Sequence, residues 1–329
     1  MKKILNYLFK KKNLTLEVAK SILIDMSIGN FNTLQIAALT SLYNYNMRLS
    51  SINEIEGFRQ ALLYLCLQIN INTNNAIDIV GTGGDKNTFN ISTLASFVVA
   101  GAGEKVIKHG NYASSSKTGS SNILKMLGCK FTTDGIFLKK KLEKTGICFL
   151  HAPLFYPSIK KIALIRKNVG TKNILNTLGP LLNPSENQYQ LLGVSNLEIA
   201  NIYYFLLKKT KKKYSIIHSL DGYDEISLTG TFKCYTPEGE YNYSPQKIGC
   251  LLLQPKDIKG GKSIEENKRI FLDIMEGNGT KAQNEVVIVN AAFALSIINK
   301  ENWEYNYTRA KESLESGKAK KSLKKFLDN

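Results

Sequence analysis

Three glycines in four positions, Gly81-Thr82-Gly83-Gly84, precede Asp85 and directly follow the apolar run Ala76-Ile77-Asp78-Ile79-Val80. Such spacing lets a backbone turn sharply and bring several N–H groups to one anion. It matches neither the GxxxxGK[ST] loop nor the dinucleotide fingerprint, which needs a glycine where Lys86 stands. Taken alone it serves equally well as an ordinary strand-to-helix turn. Two more segments change its meaning. Ser92 or Thr93 stands ahead of an apolar stretch opening at Leu94, where a capping hydroxyl and open helix amides would make a second anion site or simply a cap. Lys108-His109-Gly110-Asn111-Tyr112-Ala113-Ser114-Ser115-Ser116-Lys117-Thr118-Gly119-Ser120-Ser121 then offers hydroxyls, lysines and glycines between a strand and a helix. On successive strand ends of one sheet, the three segments would face one crevice and hold a polyphosphate.

The turn Asp221-Gly222-Tyr223-Asp224-Glu225 supplies adjacent carboxylates, Asp224 and Glu225. Beside a polyphosphate they are hard oxygen donors for Mg²⁺; away from one they are a solvated turn. No Ser-His-Asp spacing is present. His218 reads as a satisfied polar histidine, while His109, inside the Ser-rich segment, is open between structure and chemistry. Arg166, on a Lys-rich helix, is surface charge unless that helix covers the crevice. Cys66, Cys129, Cys148, Cys234 and Cys250 are odd in number and lack CxxC spacing. This argues against a disulfide framework and a zinc site and points to buried thiols in a reducing compartment.

The elements that must position these residues follow from periodicity. Leu14 to Leu67 carries helical spacing through Leu16, Ala19, Ile22 and Leu23, and again from Leu34 to Leu42. Beyond it, apolar runs at 76–80, 105–108, 146–152 and 214–219 alternate with helical stretches at 94–102, 122–127, 159–167, 172–178 and 286–298. The fold class is therefore α/β: a small helical unit, then a larger one with a mostly parallel sheet flanked by helices. No apolar run approaches the roughly 20 residues of a membrane span. Lys10-Lys11-Lys12 interrupts the first apolar residues, so the amino terminus reads as the first helix of a cytoplasmic protein. The net charge of +17 suits nucleic acid, acidic membranes or phosphorylated substrates. Its densest runs, at 208–213 and 318–325, read as solvated helix faces, so charge alone selects no partner.

Together, Gly81–Asp85, Thr88-Phe89-Asn90-Ile91-Ser92-Thr93, Lys108–Asn111 and Ser115–Ser120 resemble the anthranilate phosphoribosyltransferase family. The resemblance continues through Ala152-Pro153-Leu154, Arg166, Leu175–Pro184, Asp221–Ser227 and Asn290-Ala291-Ala292, in the family's order. It implies attack of the anthranilate amine on C1 of phosphoribosyl pyrophosphate, releasing pyrophosphate, in tryptophan biosynthesis. It also implies a nucleoside-phosphorylase-type fold, with a helical domain (1–70 plus about 168–186) hinged to an α/β domain (75–167 plus 187–329). A homodimer through the helical domain is expected.

By the same resemblance, phosphoribosyl pyrophosphate would bind at Gly81, Gly84, Asp85, Thr88, Asn90, Ile91, Ser92 and Thr93. Lys108, His109, Gly110, Asn111, Tyr112, Ala113, Ser114, Ser115, Ser116 and Ser120 would complete that site. Ser92, Asp224 and Glu225 would hold Mg²⁺; Gly81, Asn111 and Arg166 would contact anthranilate, with no residue as general base. An arginine fork suits a planar carboxylate. The family's usual Arg and His are replaced by Tyr112 and Tyr156, removing a cation near the phosphates and altering the aromatic-acid entrance. Two other functions would suit parts of the chain. A pyrimidine nucleoside phosphorylase shares the fold but needs neither the acidic pair nor Arg166. A nucleic-acid-binding module would suit the charge but lacks its aromatic-plus-basic motifs, so neither nucleic acid nor membrane is expected as a partner.

Overall fold

The computed structural model describes residues 1–43, 51–71, 75–84, 86–113, 118–170 and 174–328. They form two compact units, Met1–Gln68 with Ala152–Pro184, and Ile69–His151 with Ser185–Asn329.

The first unit is helical. Helices Leu16–Ile28, Thr33–Leu42 and Ile52–Leu65 begin where Thr15, Asn32 and Ser51 accept the N–H groups of Val18, Gln35 and Glu54. Those hydroxyl and amide oxygens satisfy donors that the helix itself cannot. Ala19, Ile22, Leu23 and Met26 are buried, as are Ile55, Phe58, Ala61 and Leu62, on two helices packed together. At Gly57 they approach so closely that a Cβ would lie 2.3 Å from the Leu16 carbonyl oxygen. Buried Glu54 ties the unit together, one oxygen accepting from Leu14 N–H at 3.2 Å and from the Tyr43 hydroxyl at 2.9 Å. The returning segment carries helix Lys160–Val169, ended by Gly170 in the left-handed region at φ 73°. Of the helix expected at 172–178, residues 172 and 173 lie outside the described residues; Ile174–Thr177 is helical and is followed by a 3-10 turn at Gly179–Leu181. Proline at 180 withholds the N–H that would extend it.

The second unit contains, among the described residues, a seven-stranded sheet. The strands are β1 Ala76–Gly81, β2 Lys105–Gly110, β3 Ile147–His151, β4 Tyr189–Gly193, β5 Lys213–Ser219, β6 Phe232–Thr236 and β7 Gly239–Tyr243. Their order is β3-β2-β1-β4-β5-β6-β7. β1 to β5 pair in parallel, and β6 and β7 add an antiparallel edge. The chain thus proceeds outward from β1 in one direction and resumes at β4 on its other side. This reversal makes the carboxyl ends of β1 and β4 the place where such a sheet opens to a ligand. β2 extends two residues beyond the expected 108, carrying His109 and Gly110 into the sheet.

Two apolar helices, Ile91–Gly101 and Lys281–Asn299, lie against each other, with residues 93–100 and 286–295 buried. The second is long and apolar enough to cross a membrane by length and composition; its place in the core accounts for that apolarity. The lysines at 318–325 lie on helix Lys318–Leu327, which buries Leu323 and Phe326 and leaves Lys320, Lys321, Lys324 and Lys325 exposed. All five cysteines are free and buried.

Candidate active site

The turn after β1 is built around one carboxylate. Gly83 adopts φ 73°, and its N–H donates to Asp224 Oδ2 at 2.8 Å. A Cβ on Gly81 would lie 2.3 Å from Asp224 Oδ2, and one on Gly193, at the end of β4, 1.6 Å from the Asp224 carbonyl oxygen. Thr82 N–H donates to the Gly193 carbonyl at 2.9 Å, and Ser195 N–H to the Thr82 hydroxyl at 3.2 Å. The glycines therefore let the acidic turn lie directly against the strand ends.

Glu225 stands beside it. One oxygen accepts from the Thr88 hydroxyl at 3.1 Å; the other, Oε2, is buried with no hydrogen-bonding partner. The turn is fixed from behind by buried Asn290, which accepts from Ile226 N–H at 3.2 Å and donates to the Ile226 carbonyl at 2.9 Å. Burial raises the pKa of Asp224 against the lowering effect of the Gly83 N–H. Burial, then the charge of Asp224, raises Glu225 well above the ordinary carboxylate range. Two neighbouring carboxylates that resist ionising together, one with an unsatisfied buried oxygen, are a natural seat for a cation. Among the described residues no group of three or more His, Cys, Asp or Glu gathers, so a purely protein-made cage is not formed. An oxygen set this small fits Mg²⁺, which retains waters and takes phosphate oxygens as further ligands.

The second anion element differs from expectation. The helix starts at Ile91, not Leu94, and its N-cap is Asn90, in the left-handed region at φ 42° with no side-chain cap bond. Complete burial of Ile91 draws the helix start forward. Ser92 and Thr93 are consequently first-turn residues. Ser92 Oγ lies 3.4 Å from Lys108 Nζ, and Asn90 instead donates its side-chain amide to the Thr118 carbonyl at 2.9 Å. Thr93 and Leu94 N–H both donate to the Asn90 carbonyl, at 3.0 and 3.1 Å, so the amides at the helix start that face an anion are those of Ile91 and Ser92.

At the end of β2, Lys108 is buried and donates to the Ile79 carbonyl. Burial lowers its pKa to about 8 against the attraction of Asp78 and Glu225. His109 is lowered to about 3 by burial, by Lys108 and by His151, so it is neutral near pH 7. Gly110 has no room for a side chain, since a Cβ would lie 2.1 Å from Ser120 Oγ. Asn111 is exposed, and its carbonyl accepts from Ser121 N–H at 3.1 Å. Asn122 Oδ1 accepts from both Ala113 N–H (2.9 Å) and Gly119 N–H (3.0 Å), joining the two ends of the Ser-rich loop. Tyr112 presents its ring to His151 at 4.8 Å, with Lys125 Nζ 5.9 Å from its centre.

Thus Gly81, Gly84, Thr88, Ser92, Lys108, Asp224 and Glu225 are linked at the carboxyl ends of the strands, and Asn90, Asn111 and Ser120 border the loop after β2. Asp85, Ser114, Ser115 and Ser116 lie outside the described residues. Arg166 belongs to the helical unit, in the last turn of Lys160–Val169, where burial lowers its pKa only to about 10 and leaves it charged. Tyr156 is buried in the same unit, its hydroxyl donating to the Leu182 carbonyl at 2.6 Å. His218 is the satisfied polar residue expected, with Nδ1 2.9 Å from the Val194 carbonyl. Sequence reasoning does not single out Gly193 or Asn122. The run Leu191-Leu192-Gly193 before Val194 is the signal for the first; nothing in the sequence marks the second.

Residues 73–320 match the glycosyl transferase family, a/b domain. The anthranilate phosphoribosyltransferase of Flavobacterium psychrophilum is 51% identical over 327 residues, 99% of this chain and 98% of that protein. That of Flavobacterium johnsoniae is 50% identical over 100% of this chain and 99% of its own length. Among solved structures, anthranilate phosphoribosyltransferase from Thermus thermophilus superposes with a TM-score of 0.90 at 27% identity, covering 98% of both chains. The Saccharomyces cerevisiae enzyme, in complex with PRPP and Mg, superposes with a TM-score of 0.80 at 26% identity, covering 90% of this chain and 85% of that one.

Proposed function

This chain belongs to the anthranilate phosphoribosyltransferases, and we propose that the strand-end constellation of its α/β unit is where it performs their reaction. That reaction moves the phosphoribosyl group of 5-phospho-α-D-ribose 1-diphosphate to anthranilate, giving N-(5-phosphoribosyl)anthranilate and pyrophosphate in tryptophan biosynthesis. The observation that supports the location is the meeting of Gly81, Gly83, Gly193 and the Asp224-Glu225 pair beside the start of helix Ile91–Gly101.

In this reading Gly81, Gly84, Asp85, Thr88 and Asn90 to Thr93 bind phosphoribosyl pyrophosphate on one side. Lys108 to Ser116, with Ser120, bind it on the other. Loop and helix amides hold the phosphate oxygens and stabilise charge as the C1–O bond breaks. Ser92, Asp224 and Glu225 hold Mg²⁺, which when bound offsets the charge that pyrophosphate gains on leaving. Arg166 pairs with the anthranilate carboxylate, and Asn111 and Gly81 help to orient the amine toward C1. Much of the rate gain is then proximity. The aromatic amine is a competent nucleophile, so no residue acts as general base. Neutral His109 adds no charge to the phosphate side.

The helical unit, Met1–Gln68 with Ala152–Pro184 where the sequence suggested 1–70 with about 168–186, forms the contact of a homodimer in this reading. Exposed Phe9, Ile28, Leu34 and Tyr64 in the first of those segments support this reading. The enzyme works in the cytoplasm.

The test mixes the chain with Mg²⁺, phosphoribosyl pyrophosphate and anthranilate and follows loss of anthranilate fluorescence. Unchanged fluorescence together with phosphate-dependent cleavage of thymidine or uridine would assign the site to a nucleoside phosphorylase instead. Light scattering on the eluted protein tests the dimer.

A further inference from the structure

β1 remains paired to β4 as far as Gly81–Gly193, and β2 to β3 as far as Gly110–His151. Between β1 and β2, by contrast, the paired residues are only Ala76–Lys105 and Ile77–Val106. The sheet therefore parts between its two site-bearing strands just below the phosphate loops. Backbone groups exposed by such a gap need other partners. Two charged side chains supply them in opposite directions. Asp78, fully buried on β1, accepts the N–H of His109 on β2 at 3.1 Å. Lys108, buried on β2, reaches back to the carbonyl of Ile79 on β1. Asn187, also fully buried, donates to the Ile107 carbonyl at 3.1 Å, so a third freed group is satisfied as well.

The same ammonium lies 3.4 Å from Ser92 Oγ and attracts both Asp78 and Glu225. The bridge between the strands is thus continuous with the proposed cation and phosphate residues. We propose that Asp78 and Lys108 form a positioning pair that holds β1 and β2 apart at their carboxyl ends and fixes Ser92 Oγ for the phosphoribosyl pyrophosphate–Mg²⁺ complex. Asp78 touches no reacting atom in this scheme; it acts through Lys108 and the His109 backbone. A buried acid in the middle of Ala76-Ile77-Asp78-Ile79-Val80 otherwise has no packing advantage over valine or isoleucine. Replacing it with an apolar residue would leave Lys108 short of one countercharge and His109 N–H without its acceptor. The inference rests on the function proposed above.

The test compares wild type with Asp78→Asn, Asp78→Ala and Lys108→Met. Asp78→Asn keeps shape and an acceptor oxygen but removes the charge, so it carries the test if Asp78→Ala does not fold. Outer partners of metal and substrate ligands typically contribute about 10–100-fold. Asp78→Asn should accordingly weaken calorimetric binding of phosphoribosyl pyrophosphate with Mg²⁺ by about tenfold or more and raise its KM similarly. The anthranilate KM should stay within about twofold, a split that general destabilisation would not produce. The double variant Asp78→Asn/Lys108→Met should lose no more than Lys108→Met alone, since one unit is removed once. Wild-type-like binding by Asp78→Asn, or losses that simply add, would overturn the pair while leaving the proposed function standing. A wild-type chain that neither binds the sugar pyrophosphate nor consumes anthranilate would overturn both.

Discussion

Gly193→Ala is the sharpest probe of the site because the change is one methyl group and its neighbour is backbone. A Cβ at 193 would lie 1.6 Å from the Asp224 carbonyl oxygen and 2.8 Å from its carbonyl carbon. No rotamer change can relieve that contact. To reach 3.0 Å the Asp224 backbone must retreat by about 1.4 Å, or β4 must leave its register with β1. Misplacing a catalytic group by ~1 Å costs on the order of 100-fold, equivalent to about 2.7 kcal/mol at the transition state. Overpacking adds ~1–3 kcal/mol of destabilisation. Initial rates of anthranilate consumption should therefore show kcat/KM down by about 100-fold at saturating Mg²⁺ in protein that remains folded by circular dichroism. Gly83→Ala is the comparison. That residue sits at φ 73° with no atom within 4 Å of an added methyl, so only backbone strain of ~1–2 kcal/mol is added. Activity of Gly193→Ala within about threefold of wild type, or a heavier loss for Gly83→Ala, would refute the close-approach argument.

Replacing Asp224 and Glu225 together by Asn and Gln should abolish Mg²⁺-dependent turnover, and near-normal activity would remove the metal assignment. Both carboxyls titrate above their ordinary values of 3.8 and 4.5 when folded, so the metal-free native chain binds more protons than the unfolded one in the window above those values. Their contribution to stability is complete below the ordinary values and is lost as pH rises through the folded ones. Thermal melts without Mg²⁺ should show this decline with rising pH, and the Asn/Gln double variant should lack that component. Asn290→Ala strips partners from both backbone groups of Ile226 and should destabilise the fold by about 2–4 kcal/mol in urea titrations. A loss below about 0.5 kcal/mol would mean that water replaces the amide without penalty.

Much of this protein is legible along the chain because the responsible forces act between near neighbours. Apolar spacing locates the helices of the first unit, and short apolar runs locate β1, β2, β3 and β5. Glycines after β1 announce a tight turn, and Ser, Lys and Gly after β2 announce a polar loop. β4 and β6 escape notice because Gln190 and Lys233 break their short apolar runs, and β7 because it is a largely exposed polar edge. The helix start at Ile91 also lies ahead of the expected Leu94, since burial of Ile91 outweighs the capping tendency of Ser92 and Thr93. How the pieces meet is set by tertiary structure alone. Gly83 and Asp224 are 141 positions apart, yet an N–H of one touches a carboxylate of the other. Asp224-Glu225 reads locally as a solvated turn; it becomes a desolvated, mutually repelling acidic pair because β5 lies two strands from β1 and Asn290 supports it from a distant helix. Along the chain Asp78 is one polar position inside an apolar run, and only the parting of β1 from β2 gives it an acceptor's task. Residue types and short spacings thus set which chemistry was available. Sheet order and burial decided where it was assembled, because desolvation and close approach depend on neighbours that no local window contains.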